Sequence, residues 1–96
     1  YVPDLVNTSL DLLLDDESGV WNLANDAEIT WAEFAREIAM RGSHNPKLVT
    51  RVSLNDMAFK AKRPIYSVLK SERGSLLSSL DNALERYFAD QQLVFR

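Results

Sequence analysis

Tyr66-Ser67-Val68-Leu69-Lys70 sets a phenol and an ammonium group at a Tyr-x-x-x-Lys spacing. On a helix the Lys would lie one turn beyond the Tyr, where its charge lowers the phenol's pKa and lets it exchange a proton with a carbonyl or an alcohol. Such a pair works beside a cofactor held by a Gly-rich strand–turn–helix, with a Ser or Thr hydroxyl supplied earlier in the chain. Gly19, Gly42 and Gly74 are isolated, so no phosphate-cradling loop is present. Pro64, just ahead of Tyr66, also argues against a long helix there. The spacing reads as coincidence, and no residue of the chain is assigned a catalytic role.

Other reactive constellations are weaker. His44 is the only histidine and sits in the polar turn Gly42-Ser43-His44-Asn45-Pro46, the setting of a solvated side chain rather than a base. Asp11, Asp15, Asp16 and Glu17 lack the oxygen-rich loop with a Gly bend that calcium needs, and without cysteine there is no thiolate zinc site. No metal ligand and no cofactor-binding residue is assigned. What remains is Lys60-Ala61-Lys62-Arg63-Pro64-Ile65-Tyr66: three cations and an aromatic ring in a short stretch, able to pair with a phosphate and stack on a ring. Solvated surface charge is the other reading of the same residues. Trp21, Trp31 and Phe34 are taken as core.

The charges are unevenly spread. Residues 1–37 hold nine acids against Arg36 alone, whereas residues 38–73 hold eight bases against Asp56 and Glu72. A basic middle third attracts a phosphate-bearing ligand; complementarity between the acidic and basic thirds within one fold is the plainer explanation. A net charge of -3 disfavours duplex nucleic acid as a partner. The longest apolar run is Leu12-Leu13-Leu14, so no segment spans a bilayer, and no secretory signal opens the chain. With 96 residues, 46% of them apolar, the chain is expected to form a single domain with one modest core. Its opening on Tyr1 rather than Met suggests a processed product or an excised domain.

The elements that would position these residues can be read from caps and periodicity. Pro3 and Asp4 suit a helix first turn, and Leu5, Val6, Leu10, Leu13 and Leu14 give that helix a broad apolar face. Asp15, Asp16 and Glu17 at its end oppose the macrodipole, so its last turn is expected to fray. Val20–Ala24 reads as a strand. Thr30-Trp31-Ala32-Glu33 is a capping box opening a second helix, whose face is Trp31, Phe34, Ala35, Ile38 and Ala39 and whose end is Gly42. Leu48–Val52 reads as a second strand, Ser53 as the cap of a single turn, and residues 60–74 as irregular. Ser79 caps a last helix with Leu80, Ala83, Leu84, Tyr87 and Phe88 on one face. The expected class is therefore α+β, a mixed fold of three main helices and two or three short strands that need a neighbouring sheet or domain to complete them.

Four segments, in order, carry a resemblance over residues 1–88: Tyr1-Val2-Pro3-Asp4-Leu5-Val6; Gly19-Val20-Trp21-Asn22-Leu23-Ala24-Asn25; Thr30-Trp31-Ala32-Glu33-Phe34-Ala35; and Ala61-Lys62-Arg63-Pro64 with Tyr66-Ser67-Val68-Leu69 and Ser71. Together they resemble the C-terminal, substrate-binding part of dTDP-4-dehydrorhamnose reductases, which are extended short-chain dehydrogenases acting on sugar nucleotides. Gly74–Ser79 departs from that pattern in lacking a proline before the last helix. The resemblance implies a parent enzyme that reduces the 4-keto group of dTDP-4-dehydro-L-rhamnose to dTDP-L-rhamnose with NADPH, in the cytoplasm. It implies an N-terminal Rossmann domain, absent from this chain, that holds the cofactor and the catalytic Ser/Thr, Tyr and Lys, so that this chain alone is expected to be inactive. It points to Arg63 as a diphosphate contact and Tyr66 as a ring contact of the dTDP-sugar, and leaves a homodimer of the parent open. Relatives on the same fold serve as non-catalytic regulatory subunits, such as the beta subunit of methionine adenosyltransferase, which is the alternative function.

Overall fold

The computed structural model describes residues 1–94 and is mostly helical. Among the described residues there are three helices, α1 (Val2–Leu14), α2 (Trp31–Arg41) and α3 (Leu80–Val94), with single 3-10 turns at Pro46–Leu48 and Leu54–Asp56. All three lie where caps and periodicity predict them. The chain divides into two compact units: Tyr1–Ala27 together with the chain from Leu69 onward, and Glu28–Val68.

In the first unit the buried core is small. Ala83 (3% exposed) and Leu84 (8%) on α3 are its buried apolar residues among those described, as the final helix's pattern predicts. Charged side chains supply much of the rest of the cohesion. Arg86 on α3 forms a two-pronged pair with Asp4 in the first turn of α1, one guanidinium nitrogen donating to Asp4 Oδ1 at 2.6 Å and the other to Oδ2. The same guanidinium donates to Asn82 Oδ1 (3.0 Å) and Ser78 Oγ (3.1 Å) and lies 5.3 Å from the Tyr1 ring. Tyr1 meets Tyr87 edge-on at 6.3 Å. Consequently α1 is half-buried along Tyr1, Asp4, Thr8 and Leu12, while its predicted apolar face stays exposed.

A second arginine closes the unit. Arg73 stacks on the Trp21 ring at 4.0 Å and donates to the Ser18 carbonyl (2.7 Å) and the Glu17 carboxylate (3.1 Å). Gly19 sits beneath it at φ +85, with Arg73 Nη1 3.3 Å from where a Cβ would lie, so both backbone conformation and clearance favour glycine there. Asn22 adds a bond from its amide to the Lys70 carbonyl (3.0 Å), and Asn25 one to the Ser78 carbonyl (3.1 Å).

These side-chain bonds take the place of a β-ladder. The predicted strands Val20–Ala24 and Leu48–Val52 do not form among the described residues, whose pairing is limited to an isolated parallel bridge between Asp26 and Ser79. A strand needs a partner edge to satisfy its N–H and C=O groups. Residues 20–25 meet the returning chain through the amide side chains of Asn22 and Asn25, and Leu48 is drawn into a 3-10 turn by Asn45, whose side chain accepts from the Lys47 amide.

The second unit is built on α2. Thr30 Oγ1 accepts from the Glu33 amide at 3.2 Å, as the capping box predicts, but the Glu33 carboxylate faces Arg51 at 3.7 Å. Phe34, Ala35 and Ala39 are half-buried, whereas Trp31, expected in the core, is 83% exposed. Trp31 is the first residue of the helix, and its ring meets only the edge of Phe34, at 6.2 Å, among the ring contacts of the described residues. The Ser53 cap forms as predicted, accepting from the Asn55 amide.

Both α1 and α2 end in the same way, and neither uses glycine at the left-handed position. After α1, Asp16 has φ 58, with Glu17 N–H bonded to the Leu12 carbonyl and Asp16 N–H to that of Leu13. These bonds hold the end that three acids were expected to fray. After α2, Gly42 is the cap with ordinary φ, and Ser43 (φ 60) takes the strained conformation, one residue later than predicted. Left-handed backbone costs a non-glycine residue about 1 kcal/mol or more, and glycine's greater unfolded-state entropy returns part of that. Ser43→Gly is thus expected to stabilise the chain by about 0.5 kcal/mol, read as a higher denaturant midpoint at unchanged slope.

The Arg86 hydrogen bonds hold the Asp4 carboxyl below its usual range, with the charges of Arg86 and the N-terminus adding to the effect and burial opposing it. A depressed carboxylate contributes stability that is present above its unfolded pKa and lost as pH falls through the folded value. Wild type is expected to melt above Asp4→Asn at pH 7, and the gap to close below about pH 4. Thermal melts across pH check it.

Candidate functional site

The basic stretch singled out in the sequence lies in the second unit, on the irregular chain that follows the Leu54–Asp56 turn, and every residue from Lys60 to Tyr66 is exposed. Pro64 removes a backbone donor and Arg63 before it is biased to extended backbone, which keeps the segment out of a helix. Arg63 lies 5.0 Å from the Phe59 ring. Among the described residues no carboxylate pairs with Lys60, Lys62 or Arg63. An exposed cation–ring contact is worth about 0.5–1 kcal/mol, against about 1.5–3 kcal/mol for a hydrogen bond to a charged group. A phosphate would therefore draw Arg63 off Phe59.

Tyr66 is 62% exposed. The Glu28 carboxylate, accepting from its hydroxyl, pushes the phenol above its ordinary value, with smaller effects from burial and from the Glu28 charge. That is opposite to what proton-transfer chemistry at a Tyr-x-x-x-Lys site requires. Residues 66–70 are also not helical, so the spacing does not bring Lys70 onto the same face. Tyr66 is a protonated hydroxyl and an accessible ring, suited to contact a ligand.

Phe59 and Glu28 were not singled out in the sequence. Phe59 precedes Arg63 by four residues, a visible aromatic–cation spacing; nothing in the sequence marks Glu28 as the partner of Tyr66.

Elsewhere, the first unit has a polar cleft of about 220 Å³ lined by Asp4, Asn7, Thr8, Leu76, Leu77, Ser78 and Arg86. Its charges are spent on one another through the Asp4–Arg86 pair, so it reads as structural. Among the described residues no cluster of three or more His, Asp or Glu is placed to hold a metal ion, and no helix is long and apolar enough to cross a membrane.

The RmlD substrate binding domain matches residues 2–90, nearly the whole chain. The chain belongs to this family. No curated protein and no solved structure matches it.

Glu28→Gln is expected to bring the Tyr66 titration midpoint down toward the ordinary phenol value of about 10. NMR of the Tyr66 ring carbons, compared with Tyr1 and Tyr87 in the same sample, checks this; an unmoved midpoint would remove Glu28 as the cause.

Proposed function

We propose that this chain is the sugar-nucleotide-binding part of a reductase that converts the 4-keto group of dTDP-4-dehydro-L-rhamnose to dTDP-L-rhamnose. The observation that carries the reading is the family match over residues 2–90. It is supported by the unpaired cations of the basic segment and by the raised, protonated phenol of Tyr66. Arg63 pairs with the diphosphate, where a planar guanidinium reaches two oxygens at once, and Tyr66 contacts a ring of the ligand.

Such reductases draw on NADPH. The residues described here do not fit that cofactor: Gly19 follows α1, Gly42 caps the end of α2 and Gly74 lies in a loop, so none opens a helix toward a dinucleotide phosphate. Cofactor and catalytic groups are assigned to an N-terminal Rossmann domain of the same parent, working in the cytoplasm, and this chain is assigned the hold on the substrate.

The test is Arg63→Ala in the parent enzyme. Losing a charged hydrogen bond to phosphate should raise KM for the sugar nucleotide about tenfold or more and leave kcat within about twofold. An unchanged KM would reject Arg63 as the diphosphate contact.

A further inference from the structure

Three arginines meet aromatic rings among the described residues, and two of them are also held by charge. Arg73 adds to its Trp21 contact a bond to the Ser18 carbonyl and one to the Glu17 carboxylate, and Arg86 adds to its Tyr1 contact the pair with Asp4. Each of these joins stretches of chain far apart in sequence. Arg63 differs. Its ring is Phe59, four residues back, at 5.0 Å, and among the described residues no carboxylate pairs with it. A contact that local ties no two elements together, so the stability of the fold does not account for it.

A ring holds a guanidinium differently from a carboxylate. The carboxylate cancels the charge and takes up the N–H donors in a fixed fork. The face of a ring attracts the cation while its charge stays in place. Phe59 is 45% exposed and Arg63 is exposed, which sets this contact at the weak end of such interactions. Pro64 biases Arg63 toward extended backbone and so narrows the directions its side chain can take. The guanidinium is thereby kept charged, placed and releasable. A phosphate that draws Arg63 off Phe59 must first break this contact, so the contact belongs to the ligand-free state alone. An interaction made only in that state lowers the apparent affinity by the factor with which it populates it.

We propose that Phe59 is the resting seat of Arg63, and that it sets how tightly the Lys60–Tyr66 segment takes a diphosphate-bearing ligand by holding that guanidinium back until the ligand arrives. The inference rests on the reading of Arg63 as the diphosphate contact, and adds to it a positioning residue that acts through Arg63. The strength of the seat depends on the ring. An aliphatic side chain at this position provides none, and an indole provides a stronger one than phenyl.

The test is the Kd of the parent enzyme for dTDP, measured by calorimetric titration. Phe59→Leu should lower it about two- to fivefold, the worth of an exposed cation–ring contact. Phe59→Trp should raise it. Damage to the fold would raise Kd in both variants, so the opposite signs belong to the seat. Added to Arg63→Ala, neither change should move Kd further. In the 96-residue chain itself, the NMR signal of the Arg63 Nε–Hε group should move on Phe59→Leu as the ring current is lost, with the helical circular dichroism signal unchanged. An unmoved Arg63 signal overturns the proposal. So does a Kd that rises or stays constant in Phe59→Leu while Arg63→Ala weakens binding, a result that leaves the diphosphate contact standing. If Arg63→Ala itself leaves Kd for dTDP unchanged, the diphosphate contact falls and the role of Phe59 falls with it.

Discussion

The first unit depends on where the Arg86 guanidinium goes. It leaves α3, grips Asp4 in the first turn of α1, and touches Asn82, Ser78 and the Tyr1 ring on the way. Among the described residues of this unit the buried apolar ones are Ala83 and Leu84, too small a surface to set the position of α1. A two-pronged arginine–carboxylate pair can do so, because its planar geometry fixes direction as well as distance. Once Asp4 is drawn inward, helical periodicity puts the aliphatic stripe outside.

Arg73 repeats the device at the other end of the unit, joining the chain after α1 to the chain that returns at Leu69. Arg73 and Arg86 thus spend their charge on internal carboxylates. In the second unit, Arg51 pairs with Glu33 and Arg41 with Glu37, but Lys60, Lys62 and Arg63 have no carboxylate partner among the described residues. The proposed ligand contact Arg63 thus falls among the cations that no carboxylate engages.

Local signals in the sequence were sufficient for the helices. The Thr30 hydroxyl, Pro3 beside Asp4, and Ser79 ahead of an apolar period each act within a turn of themselves, and each helix begins where they indicate. The small shift at the end of α2 has the same origin, since either Gly42 or Ser43 can close the helix and only hydrogen bonding decides between them. What could not be read was long-range. Asp4 and Arg86 are 82 positions apart, and either is an ordinary surface charge on its own helix. The strands failed for a related reason: branched residues and alternation mark a segment able to pair, but pairing needs an edge, and side-chain amides at Asn22 and Asn25 occupy that place. The aliphatic face of α1 was visible as a pattern, though which way it points follows from Arg86. For the site, composition exposed the basic segment, whereas the upward shift of the Tyr66 phenol comes from Glu28, which the sequence does not connect to it.

The claim that a charged pair, rather than apolar burial, sets α1 on α3 is tested most directly by a double-mutant cycle on Asp4 and Arg86. Denaturant midpoints of Asp4→Ala, Arg86→Ala and the double variant separate the coupling between the two from whatever each contributes alone. The account predicts that each single change lowers the midpoint and that the double variant falls little further than the worse single. Strictly additive losses would show that the two side chains act independently, and would contradict it.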